Sequence, residues 1–205
     1  MRLVMLSVLV LLVLAAPLFA AGPQTVFEDK FDGKLGDGWT WLRENPKAWR
    51  IKDKALEIRV EPGVAGNVKN ALLRPAPNRS AKKYAIEVTI IFTTPPTAQF
   101  EQAGITWYQK GNPVFKLVHE RIDGKDWIIP ARVPAPEKTV QLRLVVDKDK
   151  YTAQFRPDAK GEFKTVASGG LKPSEDERVS IQCYNGPADA EHWMRFEDFR
   201  ILEVE

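Results

Sequence analysis

Between residues 84 and 92 the chain reads YAIEVTIIF. Tyr84, Ile86, Val88, Ile90 and Phe92 share one face by a period of two, as in a strand with one side against a core. VQLRLVVD repeats the device, with Leu142, Leu144 and Val146 together and Gln141, Arg143, Val145 and Asp147 opposite. TVFEDKF, AWRIK, ALEIRV, AGITWYQ, VFKLVHERI, DWIIPARV, YTAQF, FKTVA, RVSIQCY and WMRFEDFRILEV behave the same way. Turn signals separate them: KDKA, QKGNP, IDGK, DKDK, PDAKGE and GGLKPSEDE. TTPPTAQFEQ, 93–102, is a longer connection, and PSEDE is a candidate single helical turn. Roughly a dozen short strands, with no repeat and no Pro/Ser linker, predict one all-β domain over residues 24–205: a two-sheet antiparallel sandwich. The 15 prolines, many of them between strands, agree with this.

The first 21 residues follow another rule. Arg2 precedes the apolar run LVMLSVLVLLVLAAPLF, and Ala20 and Ala21 supply small residues for cleavage. This predicts a signal peptide over 1–21 and a protein exported to the periplasm or beyond the cell, with no membrane contact after cleavage. An uncleaved anchor is the alternative, because the run is near the length of the shortest membrane span. Lys plus Arg number 30 and Asp plus Glu 27, for a net charge of +3, or +2 without Arg2. The two signs are interspersed, which argues against a nucleic-acid stripe. Cys183 is the only cysteine, so no disulfide can form within the chain; a buried, inert thiol is the simplest reading.

Three segments in order carry a family resemblance: FEDKFDGKLGDGW with AWRIKDKALEI at the start, AGITWYQKGNPVFKL in the middle, and FEDFRI at the end. The pattern resembles concanavalin A-like jelly-roll domains attached to bacterial glycosidases, including the C-terminal sandwich of family 43 xylosidases and the DUF1349 and DUF1080 groups. The resemblance implies a jelly roll in which the first and last strands lie side by side. VFEDKF would then pair near FEDFRI, and a bulge near Glu197–Asp198 would let Phe196 and Phe199 both point inward. Related modules often hold a structural calcium ion, for which Glu28, Asp32 and Asp198 would be the oxygen ligands. No other cofactor is expected.

Catalytic glucanases of this superfold carry E-x-D-x-x-E on one strand, which brings carboxylates onto one face. Here EDE, 175–177, has the spacing but follows Pro173, where a solvated turn is expected. Glu87 and Glu120 stand singly on their strands. His119 and His192 show no metal-binding spacing, and no G-x-S-x-G elbow is present. The resemblance therefore implies a non-catalytic carbohydrate-binding domain first. A glycoside hydrolase with a non-standard site and a structural or partner-binding sandwich are the alternatives.

Sugar recognition needs aromatic faces and planar polar side chains. With Ile105, Trp107, Phe115 and Leu117 in the core, alternation turns Tyr108, Lys116 and Glu120 outward. By the same rule Arg143, Gln182 and Tyr184 face out. Strict parity would bury His119, although its place near a strand end allows it to reach the rim. Trp193, in the loop after Asn185, would form a second wall, and Trp127 is a further rim aromatic. A ligand-binding face carrying Tyr108, Lys116, His119, Glu120, Arg143, Gln182, Tyr184 and Trp193 is thus expected; the alternative is an ordinary solvated face. The expected mature protein starts near Ala21 or Gly22. Mass measurement of secreted material checks this: recovery of an intact Met1 form from the membrane would instead identify an anchor.

Overall fold

A computed structural model describes residues 22–205; the expected signal peptide, 1–21, lies outside the described residues. No helix occurs among the described residues. The strands, in chain order, are β1 (Gln24–Asp29), β2 (Thr40–Leu42), β3 (Trp49–Lys52), β4 (Ala55–Arg59), β5 (Ala71–Pro75), β6 (Lys83–Phe92), β7 (Gln102–Gln109) and β8 (Asn112–Ile122). They continue with β9 (Lys125–Ile129), β10 (Val133–Pro134), β11 (Thr139–Asp147), β12 (Lys150–Arg156), β13 (Lys164–Gly170), β14 (Glu177–Tyr184) and β15 (Trp193–Val204). PSEDE forms no helical turn, and Glu177 instead opens β14.

All pairings are antiparallel and build two sheets. Sheet I has the order β13-β12-β11-β6-β15-β4-β3, with β1 also paired to β15. Sheet II has the order β10-β9-β8-β7-β14-β5-β2. The core lies between them. Ile86, Val88, Ile90, Leu142, Leu144 and Phe196 from sheet I meet Leu72, Ile105, Trp107, Leu117, Val179 and Ile181 from sheet II, all fully buried or nearly so. Burying a large aliphatic side chain contributes about 1.5–3 kcal/mol, and this repeated inward set outweighs the chain entropy that no disulfide reduces.

The last strand closes the sandwich as expected. β1 pairs with β15, Phe27 opposite Ile201 and Asp29 opposite Phe199. A bulge between Glu197 and Arg200 shifts the register against β6, with Asp198 at a φ of 49°. The extra residue restores the parity, so that Phe196 and Phe199 are both 0% exposed. The opening stretch FEDKFDGKLGDGW is built around one carboxylate. Asp29 Oδ1 accepts from the Phe31 amide, and its Oδ2 accepts from the Gly36 amide and from Trp39 Nε1, each at 2.8 Å. These bonds fold the turn back so that Trp39 packs on Phe199, ring centroids 4.8 Å apart. The Arg74 guanidinium lies over Phe27, and burial lowers its pKa to about 10 against the opposing pull of Asp29.

A second polar node joins the two sheets at one end. Arg79, 1% exposed, donates to both carboxylate oxygens of Glu177, from Nε at 3.0 Å and from Nη2 at 2.6 Å. Its Nη1 donates to the carbonyls of Lys148 and Leu171. Glu177 also accepts from Gln109 Nε2 at 2.8 Å and from Trp107 Nε1 at 3.3 Å. The expectation of a solvated turn at 175–177 is thus corrected for Glu177, which is recruited by a buried arginine that alternation cannot reveal. Arg79→Ala is expected to destabilise the fold by about 3 kcal/mol, the low end for breaking a buried pair because Glu177 keeps some water. Urea unfolding measures it, with the exposed Lys82–Glu203 pair as the control: Lys82→Ala should leave the midpoint unchanged.

Candidate functional site

Directly opposed residues on neighbouring antiparallel strands point to the same face. The register of sheet II therefore defines rows on the face turned away from the core. One row runs Tyr184–Gln102–Glu120–Trp127–Pro134 across β14, β7, β8, β9 and β10. The next runs Gln182–Gly104–Val118–Ile129, and a third Leu73–Ser180–Thr106–Lys116. A Cβ on Gly104 would come within 2.3 Å of the Leu117 carbonyl oxygen, so the middle of the face holds glycine because the neighbouring backbone occupies the space.

Hydrogen bonds knit the rows together. Lys116 Nζ donates to Gln102 Oε1 at 2.8 Å and to Glu120 Oε2 at 2.9 Å. Gln102 Nε2 donates to Glu120 Oε1 at 3.0 Å and to the Phe100 carbonyl at 2.7 Å. Tyr108 Oη and Ser180 Oγ both donate to Gln182 Oε1, each at 2.9 Å. Two polar atoms are left over: Gln182 Nε2 and Thr106 Oγ1 are buried without a partner. Such an orphan costs about 1–3 kcal/mol, so two on one face need an explanation.

This face is not the open platform that alternation suggests. Residues 61–70 cross it as a strap. Val68 packs with Ala71, Leu73, Tyr108 and Tyr184 in a small apolar cluster of its own. Arg43 holds the strap, donating to the carbonyls of Gly66 at 2.9 Å and Val68 at 3.2 Å. Tyr108 is 1% exposed and Tyr184 4%, and burial pushes both phenol pKa values up. Tyr108 and Tyr184 turn away from the main core as alternation expects, but neither stands open on the face: both rings lie under the strap. What stays reachable is a cleft of about 210 Å3 lined by Ala65, Thr106, Pro113, Val114, Phe115 and Lys116; the orphaned Thr106 hydroxyl oxygen itself is buried beneath it.

Of the eight expected ligand residues, five share this face: Tyr108, Lys116, Glu120, Gln182 and Tyr184. The other three do not. Arg143 belongs to β11 in sheet I, where its Nε donates to Glu87 Oε1 at 2.6 Å while Arg200 holds the other oxygen at 2.7 Å. After β10 the chain crosses to the opposite sheet, a step that alternation cannot register. Trp193 also lies in sheet I, under the Arg50 guanidinium at 4.1 Å from its ring centroid. His119 is 0% exposed between the sheets, stacked on Phe92 at 4.2 Å, so strict parity prevails over the rim reading.

The three residues expected as calcium ligands, Glu28, Asp32 and Asp198, are not gathered into one cluster. Glu28 pairs with Lys30 at 3.4 Å and Asp32 with Lys54 at 3.7 Å, while Asp198 is an exposed bulge residue. Among the described residues no group of three or more His, Cys, Asp or Glu could hold a metal. The neighbouring Asp29 carries the weight of that turn through hydrogen bonds instead. Thr106, Gln102 and Ser180 went unrecognised as site residues. The available signal was their shared parity with Tyr108 and Gln182, and it becomes selective only once the register is known.

No family model matches the chain and no curated protein does, so the likeness to the DUF1349 and DUF1080 groups rests on the sequence motifs alone. Solved structures do match. The GH43 BlXynB protein from Bacillus licheniformis superimposes with a TM-score of 0.68 at 18% identity, covering 86% of this chain and 39% of its own. Xylan beta-1,4-xylosidase from Bacillus halodurans C-125 gives 0.64 at 15% identity over 92% of this chain and 40% of its own. The CBM2 module of the evolved Dit of Lactobacillus casei BL23 phage J-1 gives 0.57 at 9% identity, covering 89% of this chain and 97% of its own. The chain thus spans about two fifths of the length of either xylosidase. At these identities the likeness establishes the fold: an all-β jelly-roll sandwich of the kind found within GH43 proteins.

His119 has a measurable consequence. Its Nε2 donates to the Ala135 carbonyl at 2.8 Å, its Nδ1 is buried without a partner, and burial lowers its pKa from the ordinary 6.5. On acidification the unfolded chain takes up this proton first. Stability contributed by neutral His119 is therefore complete above about pH 6.5 and is lost below it, down to the depressed folded pKa. Chemical denaturation across pH should show a stability gap between wild type and His119→Gln that is constant above pH 7 and narrows as the pH falls. A gap independent of pH would contradict the buried, neutral assignment.

Proposed function

We propose that this protein is an exported carbohydrate-recognition domain that binds glycan on the polar face of sheet II. The observation that carries the reading is the pair of orphaned atoms, Thr106 Oγ1 and Gln182 Nε2, beside a network in which Lys116, Gln102, Glu120, Tyr108 and Ser180 all find partners. A buried donor or acceptor with no partner is a cost that a ligand hydroxyl would remove. The surrounding side chains suit that partner: a lysine, a carboxylate and two carboxamides offer donors and acceptors in the planar arrangements that sugar hydroxyls match. The glycan-related structural neighbours support the same class. Binding is expected to be weak, because each hydroxyl contact replaces one with water. The rows carry a single carboxylate, Glu120, whereas hydrolysis by two carboxylates needs a second about 5–9.5 Å away; recognition therefore stands ahead of catalysis.

Thr106→Val separates this reading from a purely structural role. The substitution is nearly isosteric and removes the orphaned hydroxyl, so the melting temperature should stay level or rise by a few degrees. On a glycan array read with the mature protein, the same variant should lose binding about tenfold or more. A stabilised variant with wild-type binding would remove the cleft from consideration, and turnover of disaccharides or xylan fragments by the wild type would favour the hydrolase.

A further inference from the structure

The first row on the polar face ends in an aromatic residue at the sheet's edge. Trp127 stands opposite Glu120 on one side and Pro134 on the other. With Lys125, Pro134 and Pro136 it lines a cleft of about 400 Å3 beside the β8–β9 turn. The indole is half-buried and its orientation is fixed, because Nε1 donates to the Ile122 carbonyl at 3.2 Å. With that donor already used, the ring offers an apolar face. Arg132, whose side chain is 56% exposed, holds its guanidinium 5.6 Å from the ring centroid.

This edge cleft and the cleft at Thr106 are separate, and one hydrogen-bonded row of side chains links their linings. Lys116 lines the Thr106 cleft and bonds to Glu120, and Glu120 is the cross-strand neighbour of Trp127. Lys116 is four residues along β8 from Glu120, and Trp127 lies opposite Glu120 one strand across the sheet, which places Lys116 and Trp127 about 14 Å apart between backbones. A single sugar ring cannot touch both; a chain of rings can. We infer that Trp127 is a stacking subsite for the far ring of an oligosaccharide whose near ring occupies the Thr106–Lys116 cleft. The inference rests on the recognition reading and deepens it: the ligand is a chain, lying obliquely across β8 and β9. The apolar face of the far ring covers the indole, Pro134 flanks it, and Arg132 and Lys125 donate to its hydroxyls.

The test is an array of neutral and uronate oligosaccharides, each displayed at one to six rings, probed with wild type, Trp127→Ala and Trp127→Phe. Wild-type affinity should rise about five- to tenfold between two rings and four, the scale of one aromatic stacking contact. Trp127→Ala should keep the short-chain affinity and lose the gain, and Trp127→Phe, which keeps a smaller platform, should show part of it. Melting temperatures accompany each variant; if Trp127→Ala fails to fold, the Phe variant and Arg132→Ala carry the comparison, each expected to reduce the gain. A wild-type length gain retained in the variants overturns the subsite while leaving recognition intact. Equal wild-type affinity for every length does the same. Binding of no oligosaccharide by the wild type overturns the recognition reading, and this inference with it.

Discussion

One strand has to serve two neighbours on the same edge, and the rest of the sandwich depends on it. β15 runs through the middle of sheet I. Along one edge it pairs with β6, and along the other it pairs first with β4 and then with β1. The change of partner happens at the Glu197–Arg200 irregularity. An unbroken period of two would send either Phe196 or Phe199 into solvent, exposing a large aromatic and leaving a void in a close-packed core. The extra residue at Asp198 avoids both. It also sets where Phe199 meets Trp39, and so where the Asp29-centred turn can dock.

The two faces of sheet II are both covered but by different means. The inner face is an ordinary apolar core. The outer face is a polar layer held by amide, hydroxyl, ammonium and carboxylate groups, with a single strap laid across part of it. A layer of that kind rigidifies when complete and is costly where it is not. The two incomplete positions, Thr106 and Gln182, occupy neighbouring rows under or beside the strap. The stability of the domain is thus supplied by the inner face, by Asp29 and by Arg79, which leaves the outer face free to carry a local deficit.

The strands with one apolar face were legible from the chain. YAIEVTIIF, VQLRLVVD and AGITWYQ all appear as read, and the β1–β15 pairing and the bulge follow from FEDKF and FEDFRI. β5 escaped notice. ALLRP is apolar on both sides because Leu72 enters the core while Ala71 and Leu73 lie under the strap, so no alternation exists to be seen. Within the site, parity placed Tyr108, Lys116, Glu120, Gln182 and Tyr184 together. It could not place Arg143, because the period of two fixes the face within a strand and not the sheet to which the strand belongs. Nor could it foresee that a loop would bury an outward-facing tyrosine. Burial of Arg79 was equally hidden, since its partners come from two connections, at Lys148 and Leu171, and from the start of β14 at Glu177.

The order of strands has a kinetic meaning. β7 to β10 form one run of neighbouring hairpins and β11 to β13 another, and these can close over short loops. β6 with β15, β14 with β5, and β1 with β15 join distant parts of the chain, the last bringing Thr25 beside Leu202. Loop-closure entropy for such contacts must be met before their burial compensates it, which places folds of this topology among the slow folders, on the order of milliseconds to seconds. Until β15 arrives, the edges of β6, β4 and β1 are unpaired and open to wrong partners. The final strand therefore acts as the latch of its own sheet: only its docking ties the β11–β13 meander and β6 to β4, β3 and β1, as β14 ties the β7–β10 meander to β5 and β2 in the other.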